Sequence, residues 1–347
     1  MKKTLIAVAA LAATGAFAQN VTVSGTLDAT YRSSKTETTA GTTVNSTRIT
    51  KDGLGTTGFT LSGSEDLGGG LKADFLVETN FSVADTGTSD TGGTYSTAQT
   101  FVGLSGSFGA VKLGAPNAPT LSVQGARGAS FSTKDAGRAA LTAGGYSTLM
   151  GLAVTRLDSS IGYTSPNFSG FSFGLLYSPK SDDKATPDAG ALSDVGLFYN
   201  NGPISAGVSK FNREIGGGGG GTTAVANKDD LTSYFVSYDF KFAKFGLGGH
   251  TYKTTDATGA TVVDQSGLNL LAEVPLSPAL SLTANLQRVD DKGVNNIDAT
   301  QNAVGVQYAL SKRSVTYARY IKMSADNTTG TTVKDADRLL VGLRHNF

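Results

Sequence analysis

Polar and apolar residues alternate one by one along much of this chain. In Val21-Thr-Val-Ser-Gly-Thr-Leu-Asp-Ala-Thr-Tyr31, apolar or small residues hold the odd positions, and Thr22, Ser24, Thr26, Asp28 and Thr30 fill the even ones. A period of two sends successive side chains to opposite faces, so this stretch is a strand with one apolar and one polar face. The pattern returns at Leu71, Ala73, Phe75 and Val77, at Phe171, Phe173, Leu175 and Tyr177, and at Leu282, Ala284 and Leu286. It returns again at Val304, Val306, Tyr308 and Leu310, and it closes the chain at Leu339, Val341, Leu343, His345 and Phe347. On this reading Leu27, Phe75, Val102, Leu175, Leu282, Val306 and Val341 share one apolar surface.

Connections between the strands alternate in length. Short ones carry turn chemistry, as in Asp66-Leu-Gly-Gly-Gly70, Gly106-Ser-Phe-Gly109, Pro166-Asn-Phe-Ser-Gly170 and Asn200-Asn-Gly-Pro203. Long ones are polar: 34–57, 85–98, 180–192, 214–230, 254–266, 291–299 and 324–336, with the six glycines Gly216–Gly221 reading as a loop tip. Sixteen strands of about 9–11 residues in up-and-down order, joined by one set of turns and one of loops, account for the length. A soluble sandwich would alternate too, but its loops would be similar at both ends. The polar sets (Thr22, Ser24, Thr26; Asn285, Gln287) belong to the interior here, which is inverted for water and correct for a membrane barrel with an aqueous lumen. Closure also satisfies the strand edges that hydrocarbon would leave unpaired. The expected fold is all-β, a 16-stranded antiparallel transmembrane β-barrel.

Composition narrows the chemistry. Of 347 residues 45 are glycine and none is cysteine. That excludes a disulfide scaffold, a thiol nucleophile and a Cys-ligated metal. A net charge of +1 gives no basic surface for nucleic acid. The start combines Lys2 and Lys3, the apolar run Leu5–Leu11 and Ala16-Phe17-Ala18. These are the n-region, h-region and cleavage site of a secretory signal peptide over 1–18, leaving a barrel domain over 19–347.

Gly63-Ser-Glu-Asp-Leu-Gly-Gly-Gly-Leu-Lys-Ala73, Gly103-Leu-Ser-Gly-Ser-Phe-Gly-Ala-Val-Lys-Leu-Gly114, Tyr163-Thr-Ser-Pro-Asn-Phe-Ser-Gly-Phe171, Leu310-Ser-Lys-Arg-Ser314 and Val341-Gly-Leu-Arg-His-Asn-Phe347 run in order through the chain. Together they resemble the Gram-negative trimeric porins of betaproteobacteria (the Neisseria, Burkholderia and Comamonas type). The resemblance implies a homotrimer in the outer membrane, in contact with the lipid bilayer and lipopolysaccharide, and an inward-folded third loop that narrows the pore. It also implies that the terminal Phe347 is the signal read by the outer-membrane assembly machinery.

The longest connection, Ala115–Ala153, is the third long loop and by resemblance the constriction loop. It carries Arg127, Lys134, Asp135 and Arg138, a net of +2. Parity sends Lys112, Lys72 and Arg32 into the same lumen, against Asp28, Asp74 and Glu78. Related anion-selective porins carry basic residues just before the strand near Phe101, whereas Ser96-Thr-Ala-Gln-Thr100 has none. The expectation is therefore a weak anion preference, with small anions and hydrophilic solutes as the permeants and no dense single-sign ladder. Catalysis needs a base poised near neutral pH. Only His250, placed near an outer rim, and His345, on the lipid-facing parity, are present. No fixed acidic neighbour of His250 is visible in the sequence, His345 reads as interfacial, and no catalytic residue is assigned. Asp182-Asp183 and Asp229-Asp230 read as solvated loop carboxylates in preference to a calcium site, so no metal and no cofactor is expected. Two other readings stand beside passive diffusion: a solute-specific channel, and a structural or adhesive barrel. Sixteen strands leave a lumen wide enough for water, where eight would be filled by side chains.

Overall fold

The structure, a computed structural model, describes residues 20–38, 41–84, 98–127, 156–179, 191–214, 228–256, 258–294, 296, 298–326 and 333–347. Within them run β1 (Asn20–Thr38), β2 (Thr43–Lys51), β3 (Gly58–Gly68), β4 (Leu71–Asn80), β5 (Thr100–Gly106) and β6 (Gly109–Ala115). The single helix among the described residues, α1 (Pro119–Arg127), follows. Then come β7 (Ser160–Thr164), β8 (Phe171–Ser178), β9 (Leu192–Asn201), β10 (Ile204–Glu214), β11 (Lys228–Asp239) and β12 (Lys244–Thr255). The chain ends in β13 (Thr261–Pro275), β14 (Leu280–Asp291), β15 (Asp298–Ala309), β16 (Ser314–Asp326) and β17 (Val333–Asn346).

Every strand pairs antiparallel with its neighbour, and β1 pairs with β17, so the sheet closes on itself. Seventeen strands make sixteen staves, because β2 and β3 share one: β1 pairs with β2 from Ala29 upward and with β3 from Thr26 downward. The seam is sealed by two reciprocal backbone bonds of 3.0 Å between Gly25 and Phe347. A Cβ on Gly25 would lie 2.5 Å from the Phe347 ring, so this glycine gives the terminal aromatic its seat.

Parity divides the wall as the alternation requires. Leu27, Val102, Leu175, Leu282, Val306 and Val341 are exposed on the outer face. Phe75 lies on that face too, directly across from Val102 and partly covered where its ring crosses Gly63. The even residues of β1 face inward, and Asp28, Thr30 and Arg32 are buried there. A soluble protein does not leave this many large apolar side chains in water. The exposed band is the surface that hydrocarbon covers.

Two features depart from the sequence reading. The segment 34–57, expected as a long loop, is mostly wall: β1 continues to Thr38, and β2 occupies Thr43–Lys51. The reason is physical. Beyond Tyr31 the outward residues are Ser33, Lys35 and Glu37; the strand has risen past the apolar band, so the alternation fades while the hydrogen-bond ladder goes on. The same rise extends β11, β13, β16 and β17 into segments expected as loops. Residues 1–18, Gly216–Gly221 and Asp182-Asp183 lie outside the described residues.

Candidate functional site: the narrow section of the lumen

From Pro116 the chain leaves the wall and turns inward. Pro119 opens α1, where its fixed φ suits the first helical position and its missing N–H costs nothing. The helix packs across the inner faces of β8 to β13. Its place is prepared by small residues: a Cβ on Gly174 would stand 3.1 Å from Pro119 Cγ, and one on the facing Gly196 would stand 2.7 Å from Pro119 Cβ. Ala118, Leu157, Leu176, Phe211, Leu231 and Tyr252 form an apolar cluster inside the otherwise polar lumen.

One carboxylate fixes the helix start. Asp194 on β9, buried, accepts from Thr120 N at 2.9 Å and from Thr120 Oγ1 at 2.8 Å, with Ser209 Oγ of β10 a further 2.9 Å from that hydroxyl. The first N–H groups of a helix have no partner within it, and the N-terminal end of its dipole favours an anion. Asp194 therefore caps α1 from the wall. The inward fold of the loop is thus visible over its first part. Substituting Thr120→Val removes one donor and leaves a buried carboxylate oxygen short of a bond, at a cost of about 1–3 kcal/mol. The expected result is faster amide exchange confined to Ala118–Arg127, with the wall strands unchanged; equal exchange throughout would contradict the capping role.

Of the residues singled out in the sequence, Lys112 faces the lumen, its ammonium 4.7 Å from the centre of the Phe101 ring. Lys72 is inward and exposed, paired in register with Asp66 and Ser105. Arg32 is inward and buried. Arg127 is the last residue of α1, and Lys134, Asp135 and Arg138 lie outside the described residues. Phe347 closes the seam.

The sequence reading missed a concentration of arginine on one wall. In a single row across four staves stand Arg48 (β2), Arg32 (β1), Leu340 (β17) and Arg319 (β16), each the partner of the next. Arg338 lies two residues above Leu340 on β17, and Arg344 four residues below it, both inward. Strands are about 4.8 Å apart and rise about 3.3 Å per residue, so five guanidinium-bearing positions share a patch roughly 15 by 20 Å. A dense ladder exists after all, away from the stretch before Phe101. Arg338 and Arg344 were legible: they hold the inward parity on either side of the run Leu339, Val341 and Leu343.

Among the described residues, the acidic side chains of the lumen singled out in the sequence are engaged. Asp74 accepts from Ser105 Oγ at 2.5 Å, and Glu78 from Gln99. Asp229 and Asp230, expected as loop neighbours, are on β11 with opposite parity. Asp229 is buried inside and pairs with Arg213, Tyr252 and Thr254, while Asp230 is outside and pairs with Lys210. His250 is not at a rim; it is buried on the inner face of β12, its ring filling the space left by Gly267. His345 faces outward, its Nδ1 2.9 Å from Ser314 Oγ. Among the described residues no group of three or more His, Asp or Glu is placed to hold a metal ion.

A family model of Gram-negative porins matches residues 4–328. Outer membrane porin protein 32 of Delftia acidovorans is 30% identical over 394 aligned residues, covering the whole of both chains. Major outer membrane protein P.IB of Neisseria lactamica is also 30% identical, over 362 residues and again the whole of both. Among solved structures, the anion-selective porin from Comamonas acidovorans superposes with a TM-score of 0.78 at 24% identity, covering 95% of this chain and 100% of that one. A loop-deleted OmpT, an outer membrane protein of Vibrio cholerae, gives 0.70 at 17% identity, covering 95% of this chain and 100% of that one.

Proposed function

Because the chain belongs to the Gram-negative porin family, we propose that it works as a homotrimeric, anion-preferring pore. It is an outer-membrane porin, a water-filled channel for passive diffusion of small hydrophilic solutes. The observation that carries the anion preference is the arginine patch on β2, β1, β17 and β16 facing a lumen whose carboxylates are hydrogen-bonded or ion-paired. The anion selectivity stated for the Comamonas acidovorans porin agrees with it. Charges at a narrow section act on a permeant at close range, whereas those in wide vestibules are screened over about 8 Å. Lys112 and Lys72 add to the positive wall that Arg32 already belongs to, and Arg127, Lys134, Asp135 and Arg138 of the third loop contribute a net +2.

The trimer rests on the family, as do contacts with lipopolysaccharide and the reading of Phe347 by the assembly machinery. Residues 1–18 are proposed as a cleaved signal peptide. Catalysis has no role in this reading: His250 supports the wall, and His345 faces the bilayer. Purified protein in liposomes should swell them in arabinose and faster still in small anionic solutes than in cationic ones of equal size. Unheated samples should migrate as trimers. No swelling would refute the channel, and equal rates for both charges would refute the preference.

A further inference from the structure

The stave shared by β2 and β3 contains four residues too many. Ala29 pairs with Lys51 and Thr26 with Gly58, so three steps along β1 face seven along its neighbour, a surplus of four. The ladder holds through Asp52, whose N–H donates to Asp28 O, and resumes at Thr57, whose hydroxyl lies 3.1 Å from Asp28 N. The surplus is Gly53-Leu-Gly-Thr56. A small bulge twists a strand; these four residues instead fold in over the inner wall. Leu54 N and Gly55 N both donate to Asp28 Oδ2 at 2.6 Å, and Tyr317 of β16 donates to Asp28 Oδ1 at 2.5 Å. Arg319 Nη1 donates to Gly53 O at 3.2 Å, and a Cβ on Gly55 would stand 3.0 Å from Arg344 Cδ. The segment thus crosses β1 and β17 to reach β16.

Its position around and along the barrel gives it meaning. In the ring of sixteen staves, β1 and β17 lie half a turn from β10 and β9, where Ser209 and Asp194 receive α1. The height matches as well. Arg319 stands six residues past the turn ending at Arg313, and Ser209 six residues past the turn ending at Pro203, both on strands of the same direction.

We propose that Gly53–Thr56 is a second constriction element, facing α1 across the lumen at the same level, and that it conceals the charge of Asp28 from permeating ions. The pore is narrowed from two sides, and the selectivity of the arginine wall depends on this cover. Asp28 is a positioning residue, buried with its carboxylate occupied by two backbone N–H groups and a phenol. This rests on the channel reading, and the experiment separates the two.

Deleting Gly53–Thr56 removes the surplus and lets β2 run into β3 in register, so the barrel should still assemble and show heat-modifiable mobility. Single-channel conductance in KCl should rise by about a third or more, and the reversal potential should move toward cations as Asp28 is uncovered. Adding Asp28→Asn to the deletion should keep the larger conductance and return the anion preference. Thr56 is exposed to the lumen and the chain has no cysteine. Thr56→Cys therefore offers a test without deletion: a bulky thiosulfonate reagent should cut the current by half or more. Unchanged conductance in the deletion variant, or full current after labelling at 56, would overturn the constriction while the wild-type current still upholds the channel. An unmoved reversal potential in the deletion variant would overturn the concealment of Asp28.

Discussion

Leu270→Arg is expected to destabilise the folded barrel by about 2–4 kcal/mol in a bilayer, the cost of a guanidinium on the lipid face near the midplane. Leu270 occupies the middle of an outward row, with Leu247 and Leu286 directly beside it on β12 and β14, all three exposed. The control is one residue of parity away. Gln287 of β14 faces the lumen opposite Asn269 and Gln301, so Gln287→Arg places the same charge in water and should change stability by about 0.5 kcal/mol or less. Unfolding from lipid vesicles in guanidinium chloride, followed by the mobility of unheated samples, measures both. Equal losses in the two variants would mean that the faces are assigned wrongly.

Neutralising Arg32, Arg48, Arg338 and Arg344 together as glutamines should lower the chloride-to-potassium permeability ratio several-fold and bring it to or below unity. The magnitude follows from Coulomb's law. A unit charge about 8 Å from a permeant in water contributes about 0.5 kcal/mol, or roughly twofold, before screening removes part of it. Four such charges give about 2 kcal/mol, roughly thirtyfold unscreened. Arg319 is left in place because its guanidinium donates to Gly53 O and so holds the Gly53–Thr56 segment. A variant that keeps the wild-type ratio would move the selectivity to the third loop, where Arg127→Gln, Lys134→Gln and Arg138→Gln become the decisive substitutions.

Much of the wall was legible from the period of two, since each strand in the apolar band must present one face to lipid and the other to water. The alternation of β1, β6, β8 and β17 assigned Leu27, Leu175, Val341, Lys112 and Arg32 to the faces they hold in the register. Where a strand leaves the lipid, its outer residues lose their reason to be apolar, and so the upper parts of β1 and β2 read as loop. Long-range partners were beyond the pattern. Asp194 and Thr120 are 74 residues apart, and nothing local marks that carboxylate as a helix cap. Asp28 looked like a free counter-charge in the lumen; only the fold of Gly53–Thr56 over it shows that the charge is enclosed. Gly53 and Gly55 fall within 34–57, the segment read as a loop, for the same reason.

Planar-bilayer recording of the wild-type protein across a tenfold KCl gradient tests the anion-preferring pore most directly. Current should enter in steps composed of three equal levels, and the reversal potential should carry the sign of chloride passing more readily than potassium. A reversal potential of the opposite sign would contradict the arginine wall as the element that governs the narrow section.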